Sequence, residues 1–210
     1  MTLYKNIEHL RIGLFRLVVL IFVIPSFSFA QDIIVKPVNV NDFDESSFAP
    51  TVKNGWLYFS SNKKRNSIYS IQTEDGDNFF DLYKVEIKER NKVRSKTIPL
   101  SDSINRKFNE TSSCINGNKI YFSSNSFAEI KKKRIGNYGI YIAELDSNEE
   151  SVIKPFKYND KRFNVAHPTV NDKGDILVFS SDNIAGEGMS DLYFCKLEGD
   201  DWSAPQNLGM

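Results

Sequence analysis

Three pairs of adjacent serines, Ser60-Ser61, Ser123-Ser124 and Ser180-Ser181, each follow a phenylalanine: Phe59, Phe122 and Phe179. A serine hydroxyl becomes a nucleophile only with a base within hydrogen-bond reach and a group that orients that base. The chain has two histidines, His9 and His167, and His9 falls in a leader segment. One candidate base cannot serve three serine pairs. A hydroxyl that recurs at the same place in three units reads more simply as a strand-end group bonded to turn backbone.

The other reactive side chains are equally sparse. His167 precedes Pro168 and has no second ligand at metal spacing, so a hydrogen-bonded structural imidazole is favoured over zinc. Asp81 and Asp191 follow long loops and read as turn caps that accept nearby N–H groups. A ring of carboxylates would need a third at the equivalent place, where Gly139 stands. The string "EDGDN" (74–78) lacks the ligand order of a calcium loop. Cys114 and Cys195 form no CxxC motif, and Cys195 aligns with Val85 and Ala143, so it reads as a small hydrophobe rather than half of a disulfide. No catalytic residue, metal or cofactor is expected, and the chain reads as not an enzyme.

The elements that carry these residues are repeats. "LYFSSN" (57–62), "IYFSSN" (120–125) and "LVFSSD" (177–182) place the phenylalanines 63 and 57 residues apart. Before each comes a turn signal, Asn54-Gly55, Asn116-Gly117 or Asp172-Lys173-Gly174, and before that a short, partly apolar run. This is the grammar of a β-hairpin. After each comes a third strand: "DLYKVEI" (81–87), "GIYIAEL" (139–145) and "DLYFCKL" (191–197). Their two-residue period sets Tyr83, Tyr141 and Tyr193 on one face with small apolar residues. The aromatic set therefore reads as core packing rather than a carbohydrate platform. A fourth run containing proline, ending in the third unit with Trp202 and Pro205, fits an edge strand.

Units of four antiparallel strands repeated in this way build a β-propeller. The expected division is a signal peptide at 1–30, an orphan outer strand at 31–42, and blades at 43–105, 106–162 and 163–210. The orphan "IVKPVNVND" (34–42) matches "VIKPFKYND" (152–160) of the second unit. Three blades are fewer than the four or more that close a ring, so the expectation is part of a larger or incomplete propeller.

The leader reading rests on Lys5, Arg11 and Arg16 ahead of an apolar run from Leu17 to Ile24, with Ser28 and Ala30 as small residues before a cleavage point. No cysteine follows that point, which disfavours a lipoprotein. Removing Lys5, Arg11, Arg16 and Glu8 from 27 basic and 27 acidic residues leaves 24 against 26. That balance gives no case for nucleic acid. The cluster Lys131-Lys132-Lys133-Arg134 reads as a solvated loop. With 40% hydrophobic residues and 13% aromatics, the exported chain has material for a β-rich core. It is not expected to span a membrane once cleaved.

The third unit resembles the WD40-like (TolB-type, PD40) propeller repeat of bacterial envelope proteins. Its order is His167-Pro168, an Asp-x-Gly turn ending at Gly174, Phe-Ser-Ser, a loop with Gly186 and Gly188, Asp191-Leu-Tyr193, then Trp202-x-x-Pro205. The second unit lacks His-Pro and Asp-Leu-Tyr; the first has a longer loop and no tryptophan in its outer run. The resemblance covers roughly residues 33–209. It implies a periplasmic or outer-membrane module of a Gram-negative cell, as in OmpA-family proteins of Bacteroidetes. Such a module binds an envelope protein or a peptidoglycan-associated partner.

The loops between second and third strands, 62–80, 125–138 and 182–190, have 19, 14 and 9 residues. They open on one face, and length variation confined to one face marks a binding surface. The leading expectation is a non-catalytic binding or scaffold module. Two others stay open: a propeller-type enzyme (glycosidase, sialidase-like or peptidase-associated), and a fragment that is not stable alone. Against the enzyme, neither the sialidase repeat S-x-D-x-G-x-x-W nor G-x-S-x-G occurs.

Overall fold

The computed structural model describes residues 45–64, 78–88, 92–93, 96–125, 136–145 and 152–209. The leader, the orphan run, the cluster 131–134 and residues 74–77 of the acidic turn lie outside these residues.

The described chain is all-β, built of propeller blades with antiparallel strands. Blade 1 has β1 (Ser47–Lys53), β2 (Trp56–Ser61) and β3 (Asp81–Lys88), with β4 (Lys92–Val93) and β5 (Ile98–Pro99) both paired to β3. Blade 2 has β6 (Glu110–Asn116), β7 (Lys119–Ser124), β8 (Gly139–Glu144) and β9 (Ile153–Pro155). Blade 3 has β10 (Val165–Val170), β11 (Ile176–Ser181) and β12 (Asp191–Glu198), with β13 (Asp201–Trp202) and β14 (Gln206–Asn207) both on β12. The fourth position is one strand only in blade 2. In blade 3 Pro205, which lacks an N–H, falls in the gap between β13 and β14.

Turn chemistry explains the hairpins. Asn54 and Gly55 take φ of 51° and 78°, the left-handed pair that a two-residue connection between twisted strands requires. Register then falls out identically in all blades: Phe59 faces Tyr83, Phe122 faces Tyr141, and Phe179 faces Tyr193. Each pair stacks, with centroids 6.1, 5.9 and 5.8 Å apart.

The stacks of blades 2 and 3 lie in the seams between blades, whereas Phe59 and Tyr83 cluster with Leu57 and Val85 of their own blade. Leu82 of blade 1 joins Ile115, Ile120, Phe122 and Tyr141 of blade 2 in one buried cluster. Ile140 and Tyr121 of blade 2 join Val165, Leu177, Phe179, Tyr193 and Cys195 of blade 3 in another. Trp202 belongs to the second cluster and meets Tyr121 edge-on at 6.4 Å. It packs across the seam rather than along its own outer strand.

Candidate functional site

Strand direction brings the described ends of the loops between second and third strands, and the blade-to-blade links, to one face, and the hairpin turns to the other. On the loop face each inner strand is interrupted by one irregular step, where Ala49, Ser112 and His167 have φ of 51°, 41° and 58°. A left-handed residue turns its N–H out of the strand's own ladder. The first serine of each preceding pair receives it: Ser112 N–H donates to Ser60 Oγ at 3.2 Å, and His167 N–H to Ser123 Oγ at 2.9 Å. The second serine caps its own loop, Ser61 Oγ accepting Lys63 N–H and Ser181 Oγ accepting Asn183 N–H. The residue after the pair caps the link, since Asn62, Asn125 and Asp182 accept the N–H of Ser46, Asn109 and Asn164.

The structure brings His167 and Ser180 together, with Nδ1 and Oγ 2.8 Å apart on an exposed surface. Ser180 Oγ also donates to Ala166 O at 3.2 Å. A hydroxyl that donates to Ala166 O accepts from the imidazole, the reverse of serine activation, in the tautomer that protonates Nδ1. Among the described residues no carboxylate is hydrogen-bonded to His167. Asp191 accepts Gly188 N–H at 3.1 Å, and a Cβ on Gly186 would stand 2.0 Å from its Oδ2. Asp81 is buried at the mouth of the first seam. Both cysteines are free, and burial pushes the Cys195 thiol up to about 11. Among the described residues no three His, Cys, Asp or Glu side chains cluster as a metal site.

Sequence reasoning missed the most perturbed of these groups. Glu110 opens β6 where Ser47 and Val165 stand in the sister blades, and it is fully buried. Its N–H donates to Phe80 O at 2.7 Å. Its Oε1 accepts Ser124 Oγ–H at 3.0 Å, and its Oε2 accepts Arg106 N–H at 3.3 Å. Burial raises the carboxyl to about 8, the negative charge of Asp81 adding to the rise, against the Ser124 hydrogen bond and the Arg106 charge. At neutral pH this side chain is predominantly the uncharged acid. Aligning the three units column by column was the available signal, because a Glu in a Ser/Glu/Val column stands out. Beside it, Arg106 lies over the Tyr141 ring at 5.2 Å.

A groove of about 700 Å³ lies on the opposite, hairpin face between blades 2 and 3. It is lined by Tyr121, Phe156, Trp202, Lys119, Lys154 and Asp201, among others. It holds none of the residues singled out for chemistry, and the Lys157–Asp201 contact at 2.6 Å spans its rim.

No family model and no curated protein matches the sequence. Solved structures do share the fold at low similarity. A puromycin-hydrolyzing peptidase of Mycobacterium tuberculosis is 10% identical with a TM-score of 0.42, covering 78% of this chain and 31% of its own. An α-L-arabinofuranosidase from Lactobacillus brevis is 14% identical with a TM-score of 0.40, covering 78% and 56%. A thermostable family-43 glycoside hydrolase is 13% identical with a TM-score of 0.39, covering 80% and 57%. The chain thus spans less than two thirds of each. All three neighbours are enzymes, and against them the expectation that the chain is not an enzyme is withdrawn. Neither the lack of a base for the serines nor the absence of the two motifs bears on a buried carboxylic acid.

Proposed function

We propose that these blades belong to an exported propeller-type enzyme that cleaves glycosidic bonds, with the loop face as its substrate face. The observation that supports this is Glu110. Cleaving a glycosidic bond needs one carboxyl kept protonated near neutral pH to donate to the leaving oxygen, and a second kept ionised. Glu110, pushed up to about 8 by burial, suits the first role, and Asp81, whose charge adds to that rise, is the carboxylate we assign to the second. Both open strands at the long-loop end of the first seam. The seam covers Glu110 completely, so proton donation requires this end of the seam to part when a sugar enters. A glycan substrate also suits the envelope location and cell-wall partner that the leader and the repeats imply.

The test is hydrolysis of a panel of aryl pentosides and hexosides, furanosides included, by the chain and by Glu110→Gln and Asp81→Asn. Turnover that each variant lowers by about 10² or more, the usual worth of a positioned acid, supports the reading. Absence of turnover across the panel, or activity retained in Glu110→Gln, overturns it.

A further inference from the structure

The groove between blades 2 and 3 is floored by buried rings whose polar atoms are left over. Tyr121 of β7 is 5% exposed and Trp202 of β13 is 7% exposed, and both line the groove. They meet edge-on, with Phe156 in the same buried cluster. A buried tyrosine hydroxyl or indole N–H ordinarily finds a hydrogen-bond partner inside the protein. Neither Tyr121 Oη nor Trp202 Nε1 has one among the described residues. Nor is either atom closed off completely, unlike the unpartnered hydroxyls of Ser113 and Tyr193. Two hydrogen-bond donors on nine-tenths-buried side chains therefore open into one cavity.

The rim of the groove is weighted toward positive charge. Lys119, Lys154, Lys157 and Lys173 line it against Glu144, Asp200 and Asp201. Asp201 is already occupied on both oxygens, accepting Lys157 Nζ–H at 2.6 Å and the Trp202 backbone N–H at 2.8 Å. Glu144 stands directly across the strand pair from Lys119. Lys154 on β9 and Lys173 in the β10–β11 turn are exposed and form no ion pair among the described residues. Asp200 alone remains to offset them.

What the groove lacks is acceptors. A neutral apolar ligand would leave both floor donors unmet, and a buried donor without a partner costs binding free energy. A cation would face the lysines. An oxyanion satisfies floor and rim together, because hydrogen bonds from neutral donors and ammonium groups to a charged acceptor are the stronger kind. The cavity of about 700 Å³ falls within the size range of small-ligand clefts, roughly 300–1,000 Å³.

We propose that this groove binds a small ligand carrying a carboxylate or phosphate. The oxyanion accepts from Tyr121 Oη–H and Trp202 Nε1–H and lies near Lys154 and Lys173, and the carbon body of the ligand rests on Ile142 and Phe156. Glu110 and Asp81 lie on the opposite face, so the site is independent of the catalytic reading and does not fall with it.

Trp202 reports on the site directly, since the only other tryptophan of the chain is Trp56. The test is a fluorescence titration of the Trp56→Phe chain with digalacturonate, with glucose 6-phosphate and, as the neutral control, with lactose. At least one of the two anions is expected to change Trp202 emission saturably, and the one that does so identifies the head group as carboxylate or phosphate. Lactose is expected to change nothing, and added salt is expected to weaken the anion. In the same background Tyr121→Phe is expected to lower the affinity about tenfold, the usual worth of a hydrogen bond to a charged group. Its thermal melt is expected to stay unchanged, because the hydroxyl gives up no bond in the free protein. The double variant Lys154→Gln/Lys173→Gln alters only exposed side chains and is expected to lower the affinity at least about threefold. No response to either anion, or an equal response to lactose, overturns the proposal. So does full affinity in Tyr121→Phe or in the double lysine variant.

Discussion

Replacing Glu110 by glutamine removes the largest pH-dependent term visible in the fold. Glu110 titrates near 4.5 when solvated and near 8 in its seam. The folded state therefore prefers the protonated acid, and the sign follows from linkage. Below 4.5 both states are protonated and the group contributes nothing. As pH rises from 4.5 toward 8 the unfolded chain releases its proton while the folded chain keeps it, so stability falls. Above 8 the loss is complete. One pKa unit corresponds to 1.36 kcal/mol, so the cost is about 3 kcal/mol at pH 7 and about 5 kcal/mol at pH 9. That is a large share of the 5–15 kcal/mol typical of a domain.

Glutamine fits the same slot. Its carbonyl can accept Arg106 N–H, while its NH₂ donates to Ser124 Oγ, since a hydroxyl serves in either role. Urea unfolding of wild type and Glu110→Gln at pH 5, 7 and 9 measures the difference. The two proteins should be within about 1 kcal/mol of each other at pH 5, and the variant should be the more stable by several kcal/mol at pH 9. Parallel pH profiles would refute the reasoning, because the carboxyl would then be ionised in the fold at no cost.

Three further outcomes follow from the same geometry. Tyr83→Phe should cost about 1 kcal/mol, since Tyr83 Oη donates to Lys63 O at 2.8 Å, whereas Tyr193→Phe should be neutral or stabilising because the buried Tyr193 hydroxyl has no hydrogen-bond partner among the described residues; thermal melts of both separate the cases. Asn105→Ala should destabilise by about 2–4 kcal/mol in urea, because the buried amide accepts Leu82 N–H and donates to Leu82 O and Leu100 O. Cys195, its thiol raised to about 11 by burial, should resist alkylation at pH 8 until denaturant is added, as mass spectrometry of the labelled chain reads out.

The blade architecture was legible because it is periodic in the sequence. Phe59, Phe122 and Phe179 recur with fixed partners at Tyr83, Tyr141 and Tyr193, and alternation alone sets them on one face. Turn residues such as Asn54-Gly55 added the hairpin register. What sequence could not give was the use made of departures from the repeat. Glu110 stands out in its Ser/Glu/Val column, but only the neighbouring blade closing over it makes it a buried acid. Asn105 and Asn159 read as loop residues, yet each clamps both the N–H and the C=O of a third-strand residue, Leu82 or Ile140. Such bonds cross 19 to 23 residues, and local pattern carries no trace of them. The left-handed bends at Ala49, Ser112 and His167 were equally hidden, since none is glycine and no turn motif surrounds them.

Those bends also settle what the serine pairs are for. A non-glycine residue in the left-handed region costs about 1 kcal/mol or more, so three of them at equivalent positions need a common compensation. In two blades it is visible: the bend aims an N–H across the seam to Ser60 or Ser123. The hydroxyl is thus a blade-to-blade acceptor, which explains why serine recurs where a solvent-facing strand end would tolerate any polar residue. In blade 3 the same serine receives no such N–H among the described residues and is bonded to His167 and Ala166 of its own sheet. The Ser–His contact is therefore the idle form of a seam acceptor. On that reasoning Ser123→Ala should destabilise the fold in urea by about the worth of one hydrogen bond across a seam, ~1 kcal/mol, whereas Ser180→Ala, which breaks no bond between blades, should cost less. An equal loss in the two variants would refute the assignment, because the serine would then matter as much within its own sheet as across a seam.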